Sequence, residues 1–140
     1  MRSRARRFGA IGHSGAYRTL ISWLGDSRLS EIILLDALYG DRSVKQFGSW
    51  IAGGARRHLI VVAAATIGRT EELVHGFGHQ VVREGVPATD SSFSAGERRA
   101  RLLYLRSQYG HQAMVSEGRV IPPTLGLTQL SPIEARTRAE

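Results

Sequence analysis

Residues Phe8 to Tyr17 read FGAIGHSGAY, a short apolar run that passes through Gly12-His13-Ser14-Gly15-Ala16 into a helical pattern. Small residues stand two before and two after the serine. That spacing suits a chain turning sharply from strand to helix with one side chain at the tip. Working outward, Arg7 to Gly12 predicts a first short strand, and Ser14 to Leu24 a helix with Ala16, Leu20, Ile21, Trp23 and Leu24 on one face. Gly25 and Asp26 stop it. Glu31 to Leu38 (EIILLDAL) is an almost unbroken apolar run, as a strand buried on both faces requires. Val44, Phe47, Trp50 and Ile51 mark a second helix that ends at Gly53-Gly54. His58 to Ala65 (HLIVVAAA) predicts a third strand, and Glu71 to Val82 a third helix with Leu73, Val74, Phe77 and Val81 inward. Gly85 to Glu97 reads as a surface loop, Arg101 to Leu105 as a fourth strand, and Val120 to Leu130 as the opening of a last short helix. The alternation predicts an α/β protein with a mainly parallel sheet of about four strands flanked by helices.

A chain of 140 residues, 42% of them hydrophobic, suits one domain with a single modest core, placed at residues 1–130. The segment from Ser131 to Glu140 is polar and charged and is expected to be a disordered tail. With no cysteine, disulfides, thiolate metal sites and cysteine nucleophiles are excluded, so any catalysis falls to oxygen nucleophiles, histidine and carboxylates. The formal charge of +7, from 19 basic and 12 acidic residues, raises a nucleic-acid reading. Against it, the arginines fall in separated pairs (6/7, 56/57, 98/99) with few aromatics beside them. The basic start MRSRARRF is followed by no unbroken apolar stretch, so no signal peptide is predicted. With no stretch near the roughly 20 apolar residues of a membrane helix, a cytoplasmic chain is expected.

Ser14 has two readings. As a nucleophile at the tip of an elbow, its hydroxyl stands above the sheet, and the Gly15 N–H at the helix start is one donor for a developing oxyanion. As a helix N-cap, it merely satisfies an orphan N–H. A nucleophilic serine needs a base and an acid, in the chain order Ser, Asp or Glu, His. His111 lies in a polar loop after the fourth predicted strand, where the base belongs; the plainer reading is an exposed loop histidine. His58 opens a strand, and His75 and His79 sit on the predicted third helix, where a metal pair lacks an acidic third ligand. His13, beside the serine, reads as a pocket or packing residue. Asp36 lies inside IILLDALYG at a strand end, and a carboxylate there is costly unless paired. Orienting His111 would supply the partner; a helix cap or an arginine pair is the alternative. Glu71 and Glu72, following the third strand, are the competing acids. No metal or organic cofactor is implied.

With these residues in place, the chain resembles the C-terminal half of the α/β-hydrolase superfamily, from the nucleophile strand to the histidine loop. More narrowly, GHSGAYRT followed by LLDALYGDRSVKQFGSWI is similar to uncharacterised bacterial α/β-hydrolase-like proteins. Those carry a Ser-Gly-(Gly/Ala)-Tyr elbow, a Leu-Leu-Asp-(Ala/Ser)-Leu-Tyr-Gly strand end and a Phe-x-x-Trp helix. The resemblance covers roughly residues 8 to 125. It implies Ser14 as nucleophile, Asp36 as acid, His111 as base, and Tyr17, Leu38 and Tyr39 as pocket wall, acting on an ester or amide. Complete members have strands before the elbow, and a loop among them donates the second oxyanion N–H. An elbow at residue 12 therefore implies a fragment or a remainder supplied by a partner. One missing donor lowers rates by about 100- to 1000-fold. The first strand is then an open apolar edge, and self-association or a partner chain is expected there.

Overall fold

The computed structural model describes residues 6–130 and shows an α/β architecture built on one sheet of five parallel strands. The strands are β1 (Phe8–His13), β2 (Leu29–Leu35), β3 (His58–Ala63), β4 (Gln80–Glu84) and β5 (Leu102–Arg106). Their order across the sheet is β1-β2-β3-β5-β4. Between them run α1 (Tyr17–Trp23), entered through a 3₁₀ turn at Ser14–Ala16, then α2 (Gly40–Ala52), α3 (Ile67–Phe77) and α4 (Ala95–Arg99). After β5 come α5 (Ala113–Ser116) and α6 (Ile121–Leu125). The tail beginning at Ser131 lies outside the described residues.

Alternation along the central strands divides the core into two layers, because successive side chains of a strand point to opposite faces. Ile32 and Leu34 of β2, Leu59 and Val61 of β3 and Leu102 of β5 meet Leu20 of α1, Phe47, Trp50 and Ile51 of α2 and Leu73 of α3. The intervening residues Ile33, Leu35, Ile60, Val62, Leu103 and Leu105 face the other way, against Val86, Phe93, Met114 and Val120. All seven residues of β2 are buried, as the unbroken apolar run requires of a central strand. Each fully buried leucine or isoleucine contributes about 1.5–3 kcal/mol, so these two layers dominate the stability.

The sheet holds one strand beyond the four placed from the sequence. The expected helix over Glu71–Val82 ends at Phe77, because Gly78 takes φ +77° and its N–H closes on the Val74 carbonyl at 3.3 Å. Gln80–Glu84, with adjacent β-branched Val81 and Val82, then forms β4 at the sheet edge beside β5. His79 therefore lies in the turn to β4 rather than on a helix with His75.

Inserting β5 between β3 and β4 has a consequence for ligand geometry. The chain leaving β3 enters α3 on the first face, while the chain leaving β5 enters α5 and α6 on the second. Two adjacent parallel strands thus send their continuations to opposite faces, which opens a crevice at their C-terminal ends. Ser14, Asp36 and His111 gather at that end of the sheet.

Candidate active site

Register brings the strand ends level. His13 of β1 pairs with Leu35 of β2, Leu35 with Val62 of β3, and Val62 with Leu105 of β5. Ser14 and Asp36, one residue further on, therefore occupy matching positions on strands roughly 4.8 Å apart. They are also the two non-glycine residues with left-handed backbone among those described, at φ +53° and +46°. Such a conformation costs about 1–2 kcal/mol, and strain of this kind clusters at functional sites. The elbow's small residues are forced by contact. A Cβ on Gly12 would stand 2.6 Å from Leu20 Cδ1 and 3.3 Å from the Ala16 Cβ, so the residues two before and two after Ser14 face each other.

Asp36 is 0% exposed, and its carboxylate accepts from several groups at once. The loop after β3 delivers backbone N–H groups to it from Ala64 (3.0 Å), Ala65 (3.2 Å) and Thr66 (2.9 Å), and the Thr66 hydroxyl donates at 2.8 Å. His111 completes the set, its Nδ1 lying 2.6 Å from Asp36 Oδ2. Burial pushes the Asp36 carboxyl up, but the hydrogen bonds from Ala64, His111 and Thr66 outweigh it and hold the pKa at about 2. Asp36 is therefore an acceptor only, and His111 carries its hydrogen on Nδ1. The neutral imidazole then presents a bare Nε2 able to take a proton.

His111 is 28% exposed and reaches Asp36 from 75 residues away because its loop is fastened at several points. Gln108 clasps Val86, accepting from its N–H at 2.7 Å and donating to its carbonyl at 2.8 Å. The Ser107 N–H donates to the Ala63 carbonyl at 2.9 Å. Met114 of α5, fully buried in the second core layer, anchors the far side. His13 fixes the histidine itself. Its Nε2 donates to the His111 carbonyl at 2.8 Å, and the two rings lie 4.5 Å apart at 37°. The residue read as pocket or packing thus packs on the candidate base.

Of the remaining expected site residues, Tyr17 and Tyr39 stand together, with ring centroids 6.1 Å apart. Gly15 is exposed, with open space where a Cβ would be, which leaves its backbone approachable. Leu38 is 0% exposed and packs in the first core layer, and it also lines, with Tyr39, Thr66 and Arg69, a groove at the start of α3. Glu71 lies away from His111 and pairs with Arg106 at 3.2 Å. His58 sits at the opposite end of the sheet, and His75 bonds its own helix through the Glu71 carbonyl. No hydrogen bond joins the Ser14 hydroxyl to His111 or to any other group among the described residues, so the N-cap reading has no bond to support it either. Thr66 escaped the sequence reading. Its one signal is the small-residue run AAAT directly after a strand, where backbone N–H groups lie open.

No protein-family model, curated protein or solved structure matches this chain.

Proposed function

We propose that this chain is a serine-hydrolase-type module acting on an ester or amide through Ser14, His111 and Asp36. The observation that carries the reading is the 2.6 Å bond from His111 Nδ1 to a fully buried, ionised Asp36, set beside a serine in strained backbone on the adjacent strand end. The similarity of GHSGAY and LLDALYG to α/β-hydrolase-like proteins points the same way.

In this mechanism Ser14 Oγ attacks the acyl carbon while its proton passes to His111 Nε2, and Asp36 stabilises the resulting imidazolium. The Gly15 N–H, at the open start of the 3₁₀ turn, donates to the oxyanion. Collapse of the tetrahedral species breaks the bond to the leaving group, which takes the proton from His111. Water then enters by the same route and releases the acid. The Ser14–His111 hydrogen bond forms on substrate binding, since such contacts tighten in the reacting complex.

Labelling with a fluorophosphonate tests this reading without requiring turnover. Modification of Ser14, lost in Ser14→Ala and reduced at least about 1000-fold in His111→Ala, is the expected result. An unlabelled Ser14 beside a labelled control hydrolase removes the catalytic reading. A non-catalytic, hydrolase-like interaction domain would then take its place, a reading favoured by the missing Ser14–His111 bond. A nucleic-acid role draws little support from the arginines. Arg28, Arg69, Arg83 and Arg106 pair with carboxylates, and Arg57 and Arg101 with backbone carbonyls.

A further inference from the structure

Tyr17 lies one helical turn beyond Ser14, and Tyr39 three residues beyond Asp36, so both rings rise at the same end of the sheet. Together they wall a groove of about 440 Å³ between the starts of α1 and α2, within the size range of small-molecule sites. Three charged residues line it: Arg18, Asp41 and Arg42. Asp41 is already engaged by Arg69 of α3. Arg18 lies over the Tyr17 ring at 5.4 Å, and neither it nor Arg42 pairs with a carboxylate among the described residues. Arg69 is shared between Asp41 and Glu72, and Arg18 and Arg42 are the two groove cations left without a carboxylate partner among the described residues.

From this arrangement we propose that the groove receives a free carboxylate, so that the preferred substrates are esters or amides of a dicarboxylic acid or another acid-bearing acyl group. The inference rests on the hydrolase reading of Ser14 and adds the substrate class. A guanidinium is planar and matches a carboxylate with two parallel N–H donors, and Arg18, already stacked on Tyr17, loses little freedom on binding. The net charge of +7 draws anions toward the molecule at low salt.

Two fluorophosphonate probes that differ only in a terminal carboxylate or its methyl ester test the proposal. The carboxylate probe is expected to label Ser14 about tenfold faster, the ratio that one charge-assisted hydrogen bond supports. In the Arg18→Gln/Arg42→Gln double variant the ratio falls to about one. In Arg56→Gln, whose arginine precedes β3 at the other end of the sheet, it persists. Equal rates in the unsubstituted protein, or an equal loss in Arg56→Gln, overturn the proposal. Titration of Ser14→Ala with glutarate, followed by NMR at the Tyr17 and Tyr39 rings, reads the groove without the nucleophile. Ring shifts that vanish when the two arginines are replaced support it, and their absence overturns it. Shifts larger with inorganic phosphate than with glutarate overturn the carboxylate assignment. If neither probe labels Ser14, the hydrolase reading falls and the titration alone decides the groove.

Discussion

At the scale of single residues, Asp36 carries more structural consequence than any other polar side chain. Its carboxylate joins β2, the loop after β3 and the histidine loop after β5. Asp36→Asn leaves buried N–H groups facing a neutral amide, so unfolding in urea should show a loss of about 3 kcal/mol. The same variant should label with fluorophosphonate at least 100-fold more slowly, because His111 loses the partner that sets its tautomer. The pH dependence follows from the sign of the shift. A carboxyl held at about 2 in the folded protein, against roughly 3.9 unfolded, adds stability that is full above the unfolded value and lost as pH falls through the folded one. The acid limb of the stability curve between about pH 4 and 2 should therefore drop by roughly 2 kcal/mol, and Asp36→Asn should flatten it. His13 contacts the His111 carbonyl and ring. Replacing it with alanine should slow labelling about tenfold, while Gln, which keeps a donor, restores most of the rate.

At the scale of elements, the close approach of β1 and α1 sets the elbow. Gly12→Val pushes Leu20 and Ala16 outward and should cost about 2 kcal/mol in urea denaturation, with labelling of Ser14 falling in parallel. Phe47 of α2 is 0% exposed in the layer that holds α1 and α3 on the sheet, and its replacement by alanine should cost about 3–5 kcal/mol. The long, strongly patterned elements were legible before the structure. The expected strands over Glu31–Leu38 and His58–Ala65 fall on β2 and β3, which end earlier, at Leu35 and Ala63, and Val44, Phe47, Trp50 and Ile51 repeat at helical spacing in α2. The short edge strand β4 was not. Its two valines continue the apolar spacing of α3 closely enough to pass for one more helical turn, and only the left-handed Gly78 separates them.

At the scale of the whole molecule, β1 is an edge of the sheet among the described residues, paired on one side with β2 and carrying the 38%-exposed Ile11. An unpaired parallel edge with an apolar side chain is a template for another strand. Sedimentation should show concentration-dependent association, and Ile11→Lys should suppress it without changing the free energy of unfolding in urea by more than about 0.5 kcal/mol. No helix among the described residues is long and apolar enough to cross a membrane.

What the sequence by itself determined is the local chemistry: a small-x-Ser-x-small turn, a carboxylate at the end of an apolar strand, a histidine in a late loop, and the alternation that makes a parallel sheet. These are short-range properties, set by steric limits, periodicity and the cost of burying charge. Only the tertiary structure joined His111 to Asp36, 75 residues distant, while Glu71 pairs with Arg106, set His13 against His111 and buried Leu38. Those outcomes depend on strand order, above all on β5 entering between β3 and β4, and on backbone N–H groups after β3. Any residue type can offer a backbone N–H, so no pattern of side chains foretells where one points.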